Sequence, residues 1–578
     1  MNFYNWFSQP KGVFRVGFGL VLFFSILCLY LGIINPPPLG YYTTDENFIA
    51  ETGVFMLYGI TPRALEWPAL LSSYLYFIVF LCQCAYEILT HLTQLSGISS
   101  LFDCIDRVAH FYLTHRSGYV VAGRVMQLVL AVGLSYRIIR LLAFSAHPLL
   151  AGWGKIALVV CFGSAFWFWG NAGIIRPEML VGLLFFEVVI RLLFATDAAK
   201  PNLNLVMVLF ALCLSQRLLL VFMVPFVVGS LAWYAFKYKN TKLFWSGVGA
   251  FLVTILVAIP YLITDLMVIL KSFFGGIVNK MNVKAPTTLF NEDFIAGFFS
   301  NPVNIVFSIL FTLGLFYLLK RQLLSFVVLL LLANTLLFWF SALRSPQVYS
   351  THFLPTSVAC FPFVGFGLVF LLTLGNSKKY QGLRVLLLSI PVCMGLYEFL
   401  AFQKVAHQRT NFHDAQAWVL GLEANAKIAF DPEYEEFIPK NKVCLQREQQ
   451  QNNDPQRRII KIRKILSGVK NDMTDFDKLP VIARSFAFED EDLAEVQYRL
   501  KLKFYDASKP AFDAYFMLND INLANHAVQR DSVISDLRKS SPRYDYFVSV
   551  GGIAELKPLK IFDAYQSPSV FVYKRINK

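Results

Sequence analysis

Long apolar segments follow one another through the first 402 residues, and most are long enough to cross the hydrocarbon core of a bilayer as helices. Short polar stretches with prolines, glycines and charges separate them. This pattern predicts a mainly α fold, a polytopic membrane helical bundle of about eleven spans. The predicted spans are residues 13–34, 119–142, 156–171, 177–195, 203–215, 218–236, 244–264, 302–319, 323–342, 353–374 and 385–402.

The pattern changes after residue 402, where charges become dense and apolar runs shrink to the length of strands. Helical patterns at residues 414–423 and 490–502 lie between these runs. Residues 403–578 are therefore predicted to form a soluble α/β domain beside the membrane module of residues 1–402. The candidate strands are residues 427–430, 481–488, 544–550 and 570–573.

Basic residues next to the spans predict how the bundle is oriented. Lys11 and Arg15 flank the first span, which favours a cytoplasmic N-terminus, and no cleavage pattern of small residues follows, so this span is a retained anchor. A single crossing by segment 69–89 would place every later basic cluster outside, so this segment either lies on the outer surface or crosses together with a return through residues 93–117. The charged residues Asp103, Asp106 and Arg107 are unfavourable for a return crossing, so we predict a helix on the outer surface. An odd number of spans then makes the domain of residues 403–578 extracytoplasmic.

Composition narrows the class of protein. The chain is 56% hydrophobic and 16% charged, with a mean hydropathy of +0.52, which excludes an ordinary soluble enzyme. Most of the net charge of +14 lies in the first 402 residues, which argues against nucleic-acid binding by the soluble domain. That domain contains only Cys444, which excludes a disulfide framework there. Without obvious glycosylation or retention features, we expect a bacterial inner membrane.

Two adjacent carboxylates, Asp45 and Glu46, come directly after the first span, in a predicted outer loop of residues 35–118. Charge so close to the hydrocarbon core is costly and marks either a solvated loop or a functional site. A solvated helix cap explains the pair equally well, and an interfacial arginine that reaches for water explains Arg176. The polar candidates on the same predicted outer side are Arg63, Arg176, Glu178, Arg217, Arg344 and His352.

Four stretches, in this order, resemble the GT-C class of membrane glycosyltransferases, whose members include the protein O-mannosyltransferases and the lipid A aminoarabinose transferases. Asp45 and Glu46 resemble the acidic motif of the first outer loop in that class. Residues 63–68 (Arg-Ala-Leu-Glu-Trp-Pro) resemble a proline-bearing segment that opens a surface helix. Residues 175–179 (Ile-Arg-Pro-Glu-Met) and 351–355 (Thr-His-Phe-Leu-Pro) resemble the outer starts of two later helices.

The resemblance covers about residues 1–402, and one position departs from it. Gln216-Arg217 stands where relatives often carry a Lys. The soluble domain of residues 403–578 has no motif that resembles a known family.

The resemblance implies an enzyme that moves a sugar from a polyprenyl-phosphate donor to an extracytoplasmic lipid, glycan or protein acceptor. Asp45 is then the general base that takes a proton from the acceptor hydroxyl, and Glu46 orients it or holds a divalent cation. The basic candidates and His352 stabilise the lipid phosphate as it leaves, because arginine binds phosphate oxygens bidentately. Glu178 is a candidate for acceptor or metal binding; whether a metal is needed stays open.

Two other functions also stay open at this point. A transporter or lipid flippase has a similar size, but such proteins usually carry ionisable groups near the bilayer midplane and inverted repeats. A non-catalytic membrane scaffold that acts through its soluble tail is the other alternative, since nothing in residues 403–578 explains that domain.

Overall fold

The structure is a computed structural model of the 578-residue chain. It describes residues 9–30, 49, 53, 56–57, 70–94, 104, 108, 116–165, 177–196, 200–259, 292–343, 354–374, 381–407, 415, 418, 421–422, 428–430, 545–550, 552–553, 556–564 and 567–574.

The described part of the membrane module is built from α-helices. They are α1 (Pro10–Leu29), α2 (Leu70–Gln94), α3 (Arg116–Phe144), α4 (Gly154–Gly163), α5 (Pro177–Leu193), α6 (Leu203–Gln216), α7 (Val224–Lys237), α8 (Thr241–Ala258), α9 (Glu292–Ser300), α10 (Pro302–Lys320), α11 (Phe326–Leu343), α12 (Leu354–Ala359), α13 (Phe361–Leu374) and α14 (Gln381–His407).

Eight helical segments of the described chain are long and apolar enough to cross a membrane, and two of them, Leu220–Lys237 and Thr356–Leu374, each join two consecutive elements. The protein is a multi-pass integral membrane protein. Seven of the eight fall on predicted spans, and the mainly α character of the bundle is confirmed. The other four predicted spans correspond to the shorter apolar helices α4, α5, α6 and α11. The eighth long helix is α2, which covers the segment predicted to lie on the outer surface.

Proline interrupts two of the predicted spans. The span predicted at residues 218–236 opens as a 3₁₀ turn, and the α-helix begins only at Val224, with Pro225 in its first turn. The span predicted at 353–374 breaks at Cys360, two residues before Pro362. Proline has no N–H group for the helix ladder and its ring clashes with the preceding turn, so an apolar run that contains it divides there.

Helices α10 and α13 are held together through two glycines. A Cβ atom at Gly314 would overlap the carbonyl oxygen of Phe363, and one at Gly367 would overlap the carbonyl oxygen of Leu310. Small residues let two helix backbones approach closely, which increases dispersion contact where lipid offers no hydrophobic driving force between helices. Buried apolar side chains of both helices, among them Leu310 and Phe363, belong to the large buried core of the bundle.

In the segment predicted to be a soluble domain, the described residues include a four-stranded sheet. Its strands are β1 (Ile428–Phe430), β2 (Tyr546–Val550), β3 (Lys560–Ala564) and β4 (Ser567–Lys574), in the order β1-β2-β4-β3. β1 and β2 are parallel, and the other two pairs are antiparallel.

Three of these strands fall on predicted strands, whereas β3 was not predicted. The sequence of β3 is Lys-Ile-Phe-Asp-Ala, in which only Ile561 and Phe562 are large apolar residues, so the pattern typical of a strand is weak. The predicted strand at 481–488 and the helical pattern at 490–502 lie outside the described residues.

Candidate functional site

Glu178 lies in the first turn of α5, directly after Pro177. Proline is favoured at this position because its fixed φ angle suits the helix start, and a carboxylate in the first turn interacts favourably with the helix dipole. Glu178 is nevertheless only 3% exposed. A buried carboxylate at a helix end of a membrane bundle needs a partner of opposite charge.

Arg217 is that partner. It forms the C-terminal cap of α6 with an extended backbone (φ −151°, ψ 108°), and the chain continues from it into a 3₁₀ turn. Its Nη1 donates a hydrogen bond to Oε1 of Glu178, in a buried ion pair between α5 and α6. We call the end of the bundle that holds this pair the outer end, following the predicted topology.

The ion pair leaves one carboxylate oxygen of Glu178 without a partner. Oε2 is buried and accepts no hydrogen bond from any residue that the structure describes. Most buried polar atoms in proteins are hydrogen-bonded, and an exception needs an explanation such as a ligand, an ion or a catalytic role. The pair therefore leaves an acceptor at the outer end that a ligand or ion can use. Glu187, further along α5, shares this feature, since its Oε2 also lacks a partner among the described residues.

Gln216, the last residue of α6, is fully buried and connects the outer end to a further helix, α2. Its amide oxygen accepts hydrogen bonds from the backbone N–H groups of Leu71 (2.6 Å) and Ser72 (3.1 Å), at the start of α2. The amide orientation follows from this network, because the opposite orientation would set its NH₂ group against two other donors. The hydroxyls of Ser72 and Ser73 are also buried and lack partners within the described part of the chain.

Contacts with α3 fix the next three turns of α2. The hydroxyl of Tyr76 donates to the carbonyl oxygen of Tyr119 (3.2 Å), and the hydroxyl of Tyr119 donates to the side-chain oxygen of Gln83. The rings of Phe80 and Tyr119 are 5.1 Å apart. Tyr119 lies in the first turns of α3, so α2 bridges the C-terminal end of α6 and the N-terminal end of α3.

A separate ion-pair cluster lies further along α5. Glu187 is completely buried, and its Oε1 accepts hydrogen bonds from Arg137 of α3 (2.8 Å) and from Nε and Nη2 of Arg191 (2.9 and 2.7 Å). Nine residues of helix separate Glu187 from Glu178, about 14 Å along the axis. This cluster ties α3 to α5 away from the outer end. Sequence reasoning missed it.

A small cavity lies between α4, α10, α13 and α14, beside the buried residue Glu398. Its volume of about 30 Å³ is enough for one water molecule and far below the several hundred Å³ of a usual ligand pocket. Within the described residues, no group of three or more His, Cys, Asp or Glu side chains could hold a metal ion.

The structure brings together two of the eight predicted site residues, Glu178 and Arg217. It also shows that Arg124, on the predicted outer side, is buried in α3. The structure adds Gln216 to the candidate site. The sequence contains a signal for it, because a second polar side chain beside Arg217, at the end of an apolar helix, needs a hydrogen-bond partner. The predicted site residues that lie outside the described residues are Asp45, Glu46, Arg63, Arg176, Arg344 and His352.

Comparison with known proteins gives matches among solved structures only. No family model matches the chain, and no curated protein matches it. The chain is similar to the crystal structure of ArnT from Cupriavidus metallidurans in the apo state, with 14% identity and a TM-score of 0.36, over 91% of this chain and 81% of that one. It is also similar to ArnT from the same organism bound to undecaprenyl phosphate, with 13% identity and a TM-score of 0.38, over 96% and 98% of the two chains. ArnT is a lipid A aminoarabinose transferase of the GT-C class, the class that the sequence motifs resemble.

Proposed function

We propose that this protein is an integral membrane glycosyltransferase that moves a sugar from a polyprenyl-phosphate donor to an extracytoplasmic acceptor. The observation that carries the proposal is the buried Glu178–Arg217 pair at the outer end, with Oε2 of Glu178 left without a described partner. Burying two charges is expensive, and in a membrane bundle it usually marks a site for a ligand.

Arg217 has the properties that a lipid phosphate requires. Its guanidinium carries five N–H donors, of which one contacts Glu178, and its side chain is about 10% exposed. Among the described residues, no other ion-pair partner contacts Arg217. The planar fork can therefore donate to phosphate oxygens while Glu178 holds it in place.

The proposed reaction is a single displacement at the anomeric carbon of the donor sugar. The acceptor hydroxyl oxygen forms the new C–O bond, its proton passes to the carboxylate of Asp45, and the bond between the sugar and the phosphate oxygen breaks. The lipid phosphate leaves with the bonding electron pair, and the charge that develops on it is stabilised by Arg217 together with Arg63, Arg176, Arg344 and His352. Glu46 orients Asp45 or holds a divalent cation.

Lipid binding is the first experiment, because it needs no knowledge of the sugar. The purified full-length protein in nanodiscs is titrated with radiolabelled undecaprenyl phosphate, with phosphatidic acid as competitor. We expect saturable binding that phosphatidic acid displaces poorly. Arg217→Gln should weaken it by tenfold or more, because hydrogen bonds to charged groups contribute about 1.5–3 kcal/mol. The matched control is Arg321→Gln. Arg321 is an exposed arginine that caps the C-terminus of α10 and takes no part in the Glu178–Arg217 pair.

Transfer is then measured with a panel of undecaprenyl-phosphate sugars and a membrane extract that supplies the acceptor. Asp45→Asn should abolish transfer and leave lipid binding unchanged, because the amide cannot accept the proton. If Asp45→Asn transfers at the wild-type rate, the assignment of the base is wrong. If undecaprenyl phosphate binds no better than phosphatidic acid, or Arg217→Gln binds it as well as Arg321→Gln does, the proposed function is wrong.

A further inference from the structure

Two consecutive residues at the end of α6 contact different helices. Gln216 hydrogen-bonds to the start of α2, and Arg217 pairs with Glu178 at the start of α5. The extended backbone of Arg217 produces this divergence, because successive side chains of an extended chain point in opposite directions. A displacement of either residue therefore moves the other.

Helix α2 depends on Gln216 for its N-terminal cap. The first backbone N–H groups of a helix have no partner within the helix, and a Ser, Thr, Asp or Asn directly before it usually accepts from them. Residue 69 is alanine, whose side chain has no acceptor. Gln216 supplies the missing acceptor from α6 for the N–H groups of both Leu71 and Ser72.

Helix α2 in turn contacts the chain that carries the acidic pair. Gly53, eight residues after Asp45, lies against it: a Cβ atom at Gly53 would be 2.7 Å from Cβ of Tyr76 and 3.0 Å from the backbone nitrogen of Phe77. Ile49, between Asp45 and Gly53, is completely buried. Gly53 therefore packs directly on α2, and Ile49 is buried within the fold.

We infer that Gln216 is a positioning residue: by capping α2 it sets the distance between Arg217 and Gly53, which follows Asp45 by eight positions in the sequence. The contacts run from Arg217 through Gln216 and the first turn of α2 to Tyr76, and from there to Gly53. The inference rests on the proposed function, in which Arg217 binds the lipid phosphate and Asp45 takes the proton. Gln216 itself touches neither reactant.

The test compares Gln216→Leu, which removes the acceptor at similar volume, with Gln216→Glu, which keeps two oxygen acceptors for the same N–H groups. The matched control is Asn240→Leu, which removes a cap from α8, where Oδ1 of Asn240 accepts from the N–H of Lys242 (3.1 Å). The first readout is amide hydrogen exchange of the full-length protein in nanodiscs. Gln216→Leu should speed exchange at residues 71–73 about fivefold, because a lost cap costs about 1 kcal/mol. Gln216→Glu should restore slow exchange.

The second readout separates binding from catalysis in the transfer assay. Gln216→Leu should lower kcat by about 10- to 100-fold, the usual effect of misplacing a reacting group by about 1 Å, with KM for the donor changed less than threefold. Gln216→Glu should recover most of kcat, and Asn240→Leu should change neither constant. Gly53→Ala should reproduce the loss in kcat, because its Cβ pushes the segment off α2.

The outcomes distinguish the two proposals. Unchanged exchange at residues 71–73 in Gln216→Leu would refute the capping role whatever the activity. Faster exchange with an unchanged kcat would refute the positioning role. A wild-type protein that neither binds undecaprenyl phosphate nor transfers a sugar would instead overturn the proposed function.

Discussion

Removing the charge of Glu187 should destabilise the bundle more than removing either of its partners. One oxygen of this fully buried carboxylate accepts from both Arg137 and Arg191. Glu187→Gln leaves two guanidinium groups facing each other across α3 and α5 without a counter-charge.

The magnitude follows from how exposed each partner is. Breaking a buried ion pair by removing one member costs about 3–5 kcal/mol, and we expect Glu187→Gln to lie in this range. The side chain of Arg191 is 19% exposed, so Arg191→Gln should cost about 1–3 kcal/mol. The side chain of Arg137 is 47% exposed and can turn to water, so Arg137→Gln should cost about 1 kcal/mol or less.

The assay is reversible unfolding of the purified protein in mild detergent by titration with sodium dodecyl sulfate, followed by tryptophan fluorescence. The order of destabilisation should be Glu187→Gln, then Arg191→Gln, then Arg137→Gln. Replacing all three residues by leucine should recover much of the loss, because an apolar cluster carries no cost for desolvated charge. Equal effects of Glu187→Gln and Arg137→Gln, or a loss below about 1 kcal/mol for Glu187→Gln, would refute the reasoning that this carboxylate is desolvated.

Two further predictions concern packing and pH. Gly367→Ala should lower the midpoint of unfolding by sodium dodecyl sulfate, because its Cβ overlaps the carbonyl oxygen of Leu310. Gly249→Ala is the control, since a Cβ there meets nothing within 4 Å. Equal midpoints for the two variants would show that α10 and α13 have room to separate. Burial, and to a smaller extent the charge of Lys237, lower the pKa of His147 below its usual 6.5. The folded state then binds this proton less readily than the unfolded state, so unfolding free energy should fall as pH drops below about 6.5. His147→Asn should remove that part of the pH dependence measured between pH 5 and 7.5, and an unchanged slope would contradict the assignment.

The helices could be predicted from the sequence because each is an apolar run bounded by charge, proline or glycine. The breaks before Val224 and at Cys360 were harder to predict. Each is caused by a single proline, and one proline hardly changes the average hydropathy of a long apolar run. The soluble domain was predicted less completely: β3 has few apolar residues, and it is recognisable mainly through its pairing with β4.

The candidate site was predictable only as separate positions. Glu178 and Arg217 were singled out because each lies at a predicted outer helix end, but they are 39 residues apart and only the fold pairs them. Gln216 was missed as a cap because its partners are backbone N–H groups, which every residue except proline possesses. The contact of Glu187 with Arg191 follows the i,i+4 rule and was readable, whereas its contact with Arg137, 50 residues away, was not.

The strand order of the soluble sheet determines when that domain can fold during biosynthesis. β1 pairs with β2 from 118 positions further along the chain, and β4, between β2 and β3, ends at Lys574. Such distant pairings carry a large loop-closure entropy and form slowly. The ribosome must therefore deliver the chain through Val550 before β1 finds its neighbour. A chain that stops before Ser567 would retain all of α1 to α14 but would leave β2 and β3 without the strand that joins them.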